Sequence, residues 1–131
     1  MQYRLLNITT NKKNIVNKAK EGIEYQVQPR FGRKINSNGK DIFELILKFD
    51  LHDRDGIQSP FDIDLEISGI FQLKDFDESE IDSFMKINAV SIMFPYLRTI
   101  LASSMTSMML QPITIPILDA SQLFIDSNED K

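Results

Sequence analysis

The sequence predicts an α+β protein: a four-stranded antiparallel sheet with a long helix and short helices packed on one face. Two observations carry that expectation. Up to Lys74 the apolar residues alternate with polar ones, the period of strands buried on one side. From Asp77 onward the spacing changes to that of helices, and a stretch with almost no charge follows. Between Ile87 and Leu118 only Arg98 is charged, in a chain with 26% charged residues.

Tyr3–Thr10 holds Leu5, Leu6 and Ile8 among threonines, a modest strand signal. Asn11–Gly22 is polar, basic and closed by glycine, and reads as a crossover loop. Ile23, Tyr25, Val27 and Phe31 then alternate with Glu24, Gln26, Gln28 and Arg30, which gives a second strand. Pro29 has no ladder donor and puts that strand at an edge or a bulge. Ser37-Asn38-Gly39-Lys40 signals a hairpin, because Asn-Gly accepts the positive φ angles of a type I′ turn. Phe43, Leu45, Leu47, Phe49 and Leu51 form the apolar face of a third strand, closed by a turn at Asp53-Arg54-Asp55-Gly56. In the fourth strand Phe61, Ile63, Leu65, Ile67, Phe71 and Leu73 share one face, and Gly69 suggests a bulge or a close backbone approach.

Asp77 and Glu80 have the spacing of a capping box, so a short helix follows with Ile81, Phe84, Met85 and Ile87. Ser91 is positioned to cap a second helix from Ile92 to about Met109, with Pro95 in its first turn, where a missing amide costs little. Pro112 ends that helix, Ile113, Ile115 and Ile117 lie in an extended segment, and Ser121–Ile125 reads as a last amphipathic turn or short helix. The acidic residues from Asp126 to Lys131 form a frayed tail, and the whole of 1–131 reads as a single domain.

Composition narrows the function. With 42% hydrophobic residues the chain can build one core; with no cysteine and one histidine, thiolate and most zinc sites are excluded, and no cofactor or metal is expected. No secretory signal is read at the N-terminus, and prolines with Arg98 interrupt any membrane span, so a cytoplasmic protein without membrane insertion is expected. Asp62, Asp64 and Glu66 alternate along one strand as a solvated face, and His52 has no nucleophile in view, so no enzyme is expected. Charge is split: Met1–Lys40 carries nine Lys or Arg against two acids, which leaves a net −11 on the remainder of a −4 chain. That asymmetry fits two solvated faces of one sheet, and it leaves open a nucleic-acid-binding or regulatory module. Five of six methionines lie on the helices, as a core, an oligomer interface or an adaptable apolar binding surface.

Ile92-Met93-Phe94-Pro95-Tyr96-Leu97-Arg98, followed by a Ser-rich apolar helix, resembles the Ile-Leu-Phe-Pro-Tyr-Ala-Arg signature of the SecB family of bacterial export chaperones. Ser68-Gly69-Ile70-Phe71 resembles that family's Gly-Gly-Ile-Phe, and Ile113–Phe124 is similar in pattern to a segment after its long helix. The resemblance implies an ATP-independent holdase, built as a dimer of dimers, that binds non-native polypeptides or preproteins and passes them to the motor SecA. It implies a client groove of Ile23, Tyr25, Val27, Leu110, Ile113, Ile115, Ile117, Leu123 and Phe124. Subunit interfaces would be formed by Met93, Leu97, Ile100, Leu101, Met105 and Met108, and a partner-docking acidic face by Asp62, Asp64 and Glu66. Thr9, Thr10, Lys12 and Lys13 stand where the family places carboxylates, which counts against SecA and suits SecB-like chaperones that protect an antitoxin.

Overall fold

The computed structural model describes residues 1–111 and a two-residue strand at Ile125–Asp126. Four antiparallel strands, β1 (Gln2–Asn17), β2 (Arg30–Ser37), β3 (Ile42–Leu51) and β4 (Phe61–Lys74), are followed by a helical rod and β5 (Ile125–Asp126). The sheet order is β1-β4-β3-β2-β5, and β5 runs parallel to β2 opposite Gly32 and Arg33. Ile125 therefore lies in a strand and not in a terminal helical turn.

The core follows from alternation. Leu45, Leu47, Phe49 and Leu51 of β3 pair side by side with Gly69, Ile67, Leu65 and Ile63 of β4, so apolar side chains stand in cross-strand rows on one face. Each fully buried Leu, Ile or Phe in those rows contributes about 1.5–3 kcal/mol against exposure. A one-residue slip would place that whole set in water, which fixes the register.

The first strand is longer than its sequence suggests. It pairs with β4 from Gln2↔Lys74 to Asn17↔Phe61, with irregularities between Leu5 and Asn7 and between Thr10 and Lys12. Each irregularity adds one residue, so the side chains on the helix side of the sheet are Tyr3, Leu5, Ile8, Thr10, Lys13, Ile15 and Asn17, a sequence with no sustained period of two. Of the strand expected over Ile23–Phe31 only Arg30 and Phe31 are in the sheet: residues 18–29 form an irregular connection, and β2 begins at Arg30. Pro29 immediately precedes it and supplies no amide to the ladder. The β2–β3 connection is also not the two-residue type I′ turn expected. Asn38–Asp41 form a four-residue loop closed by Asn38 N–H to Ile42 C=O (2.8 Å), with positive φ at Gly39 (112°) and Asp41 (60°). The I′ pattern occurs instead at Arg54-Asp55-Gly56-Ile57, where Asp55 (φ 55°) and Gly56 (φ 77°) sit between reciprocal backbone bonds of Arg54 and Ile57 (3.1 and 2.9 Å).

Helix α1 (Glu78–Ser83) starts on the anticipated capping box: Asp77 Oδ1 accepts from Glu80 N–H (2.8 Å), and Glu80 Oε1 accepts from Asp77 N–H (2.9 Å). The chain then passes through a π-helical turn (Phe84–Asn88) into α2 (Ala89–Ser107) without leaving helical geometry. Ser91 therefore caps nothing: the rod is continuous, and the amides of α2 already have partners in the preceding turns. The π turn places Phe84 and Ala89, five residues apart, on the same buried side. Pro95 lies inside α2, leaving the carbonyl of the exposed Ser91 without its usual i+4 donor. The helix closes before Pro112. Met109 takes φ 61°, its N–H bonds to Thr106 C=O (2.9 Å) and that of Leu110 bonds to Met105 C=O (2.9 Å), a Schellman end built without glycine.

The helix sits over β3 and β4, and Gly69 permits its approach. A Cβ built on Gly69 would lie 2.5 Å from Met93 Sδ, so close approach, and not a bulge in β4, explains this glycine. We expect Gly69→Val to lower unfolding free energy by about 1–3 kcal/mol in urea titrations. A Met93→Ala background should show a smaller loss for the same substitution, because the clashing atoms are gone.

Candidate functional site

Three surfaces around the core are candidates for binding. The first is the irregular segment 18–29. Ile23 and Val27 are each 43% exposed, and Tyr25 is half-buried with its hydroxyl accepting the N–H of Lys20 (2.9 Å). Two aliphatic side chains in water, flanking a tethered tyrosine, offer an apolar strip that the chain's own core leaves uncovered.

The second surface is the open face of the sheet, opposite the helix. Asp62, Asp64 and Glu66 do share it, but their charge is answered locally. Lys18 Nζ reaches Asp53 (2.6 Å) and Asp62 (3.0 Å), and Lys48 Nζ lies 3.9 Å from Glu66, which also accepts from Asn11 Nδ2 (3.1 Å). His52 bridges neighbouring acids, Nδ1 to Asp62 and Nε2 to Asp64, both at 3.1 Å. Ionised carboxylates only accept, so both ring nitrogens donate when the imidazole is protonated. The bond to Asp64, then that to Asp62, raises the His52 pKa above its ordinary value, with burial opposing. Lys18 holds the pKa values of Asp53 and Asp62 below the usual carboxylate range, and those acids raise that of Lys18. Further along the same face, Arg30 pairs with Asp50 (3.1 Å), so basic residues of the first third lie against acids of the remainder.

The third surface is the outward side of the helical rod. Phe84, Met85, Ala89, Val90, Met93, Phe94, Leu97, Leu101, Ser104 and Met105 are buried beneath it. What remains exposed on α2 is Ser91, Pro95, Tyr96, Thr99, Ser103, Thr106 and Ser107, all uncharged and all small but Tyr96, which is 47% exposed; Arg98 is half-buried. Beside β1, the rings of Tyr3 and Phe84 (centroids 5.0 Å apart) and Phe76 border a hollow of about 490 Å³.

Compared with known families, residues 9–131 match the one described as SecB, preprotein translocase subunit SecB. The chain belongs to the SecB family. The protein-export protein SecB of Zymomonas mobilis is 27% identical over 82% of this chain and 68% of its own length. That of Sphingopyxis alaskensis is 26% identical over 67% and 54%, and an uncharacterized protein of Methanocaldococcus jannaschii 24% identical over 75% and 64%. This SecB-family chain thus spans between about half and two thirds of those relatives' lengths. Among solved structures, the SecB-like chaperone of Mycobacterium tuberculosis, in complex with a ChAD peptide from the HigA1 antitoxin, superposes with a TM-score of 0.71. That match has 17% identity and covers 88% of this chain and 90% of the other, and it shows a shared fold.

Against the residues anticipated for a SecB-type groove, Ile23, Tyr25 and Val27 come together on the 18–29 segment, while Leu110 is half-buried against the core. Ile113, Ile115, Ile117, Leu123 and Phe124 lie outside the described residues, as does the tail beyond Asp126. The residues anticipated for the subunit interface divide by exposure. Met93, Leu97, Leu101 and Met105 are at most 1% exposed in the single chain, covered by its own sheet; Ile100 is partly buried and Met108 faces solvent. Met85, Met93 and Met105 are core, with Gly69 letting the helix settle close over Met93, whereas Met108 and Met109 are exposed. The outward Ser/Thr face was legible as the complement of that stripe, whereas the salt links of Lys18 and His52 depend on strand pairing that spacing does not reveal.

The His52 bridge has a defined pH dependence. A pKa raised on folding means that its contribution is complete below the unfolded value of about 6.5 and disappears as pH rises through the higher native value. Urea unfolding of wild type and His52→Ala should therefore differ by up to about 1 kcal/mol near pH 5.5 and converge near pH 8.5.

Proposed function

We propose that this SecB-family chain is an ATP-independent chaperone that holds non-native polypeptide. Its family membership over residues 9–131 carries the reading. The exposed Ile23 and Val27, with half-buried Tyr25, supply the kind of surface such a task needs. Extended apolar segments of a client would lie against this strip and against Leu110 and the isoleucines that follow it in sequence, Ile113, Ile115 and Ile117. The activity uses burial of client side chains and needs no nucleotide, metal or covalent step. It fits a cytoplasmic protein.

The uncharged outward face of α2 supports self-association. Pro95, Tyr96, Thr99, Ser103 and Thr106 carry no charge to desolvate, and small side chains allow close packing of a second helix. In this reading the dimer, or dimer of dimers, forms through that face and not through the buried methionines.

A narrower role, one dedicated client such as an antitoxin, is favoured by the open sheet face. There Lys18, Lys48 and His52 answer the acids, and Lys12 is opposite Glu66 in the β1–β4 register. A basic tail such as SecA's would meet cations as well as carboxylates, which lowers its affinity for this face. The same pairing occupies Lys18 and Arg30 and argues against nucleic acid as the partner of the basic third.

Stoichiometric protein without ATP should suppress light scattering by a denatured model substrate; no suppression would sink the chaperone reading. Ile23→Ser with Val27→Ser should weaken binding of an unfolded polypeptide about 10-fold or more, as loss of two apolar contacts predicts. Thr99→Glu, placed on the outward helix face, should lower the mass measured by light scattering while leaving the circular dichroism spectrum unchanged. Material co-purified from the host separates a range of preproteins from a single antitoxin.

A further inference from the structure

The segment bearing Ile23, Tyr25 and Val27 is irregular, yet both its ends are fastened to one short turn, the β3–β4 connection at residues 52–60. At the start, Lys18 N–H donates to Pro60 C=O (3.0 Å), while Lys18 Nζ reaches Asp53 and Asp62. At the end, the Arg54 guanidinium donates to Gln28 C=O (3.1 Å). The turn that makes these contacts is itself stiff. Arg54 and Ile57 exchange two backbone bonds around the positive-φ pair Asp55-Gly56. Asp53 Oδ1 accepts from Ser59 N–H (2.8 Å), and the buried Ser59 hydroxyl donates to Phe61 C=O (2.7 Å).

We infer that the 52–60 turn is a staple for the client strip, with Arg54 and Lys18 as positioning residues that hold residues 19–27 in a binding-ready arrangement. A strip anchored at both ends loses less freedom when a client lands on it than one that must be ordered by the client, so affinity rises without a new contact. Arg54 suits the role, since its donors sit in a fixed fork that can address a carbonyl lying beside the turn. Gly56 is the backbone counterpart: at φ 77° with nothing within 4 Å of a built Cβ, a side chain there would fit in space but strain the turn.

The inference rests on the chaperone reading, and the experiment keeps the two apart. Arg54→Ala and, independently, Gly56→Ala are compared with wild type by amide hydrogen exchange and by affinity for reduced, carboxymethylated α-lactalbumin as an unfolded probe. Exchange should quicken within 19–27 in both variants with the rest of the sheet unchanged, and affinity should fall by roughly threefold to tenfold, as expected for added ordering cost. Arg54→Lys should recover part of the affinity, which a general loss of stability would not allow. Ile23→Ser with Val27→Ser should weaken binding while leaving the exchange of Lys18 and Gln28 unchanged. Unaltered exchange in Arg54→Ala and Gly56→Ala overturns the staple. Faster exchange with unaltered affinity, when the Ile23/Val27 variant does bind less, overturns its positioning role and leaves the chaperone reading standing. Failure of the wild-type protein to bind the probe overturns the reading itself and with it the strip's role.

Discussion

Everything in this chain depends on how closely α2 can lie on β3 and β4. Met93 rests where a side chain at residue 69 would otherwise be, and this contact draws Leu97, Leu101 and Met105 into the same buried layer. Once that seat is taken, the two remaining sides of the protein are fixed. The helix turns its small, uncharged residues outward, and the sheet turns its charged ones to the opposite side. The binding properties proposed for the chain are what is left over after the core is satisfied.

Charge tells a similar story. A strongly basic first third and an acidic remainder suggest two surfaces of opposite sign, but antiparallel pairing interleaves them. Lys18 meets Asp53 and Asp62 across more than thirty residues of sequence, and Arg30 meets Asp50 across the β2–β3 hairpin. These are solvent-accessible pairs and add little stability one by one. Their larger effect is on recognition, because a partner that seeks a patch of one sign finds a mosaic.

The central strands and the capped helix start were legible because their signals are local and mutually consistent. Alternation in β3 and β4, and the Asp77–Glu80 capping box, use residues two to four apart. The misreadings arise where a distant element decides. Residues 23–29 alternate as a strand would, but pair with no other described strand, so the 18–29 connection stays outside the sheet that Arg30 and Phe31 join. The Asn38-Gly39 pair accepts the I′ geometry, yet the hairpin closes one residue further out and places its second positive φ on Asp41. The methionines had the right spacing for an interface and for a core; Gly69 opposite Met93 puts that one in the core beside Met85 and Met105, while Met108 and Met109 are left exposed. Of the nine candidate groove residues, three lie on the 18–29 segment, and the exposure of Ile23 and Val27 is a feature that alternation alone does not give.

The paired irregularities in β1 carry an evolutionary consequence. Leu6 and Asn11 stand outside the one-to-one pairing with β4, so the strand could lose either residue and keep every other partner in place. Insertions and deletions at these two points are therefore nearly silent for the core, while one residue gained or lost in β4 would invert a whole row of side chains. Lineages of this fold can drift in length along their first strand at little structural cost. An alignment that forbids single-residue gaps there will understate how alike two such chains are.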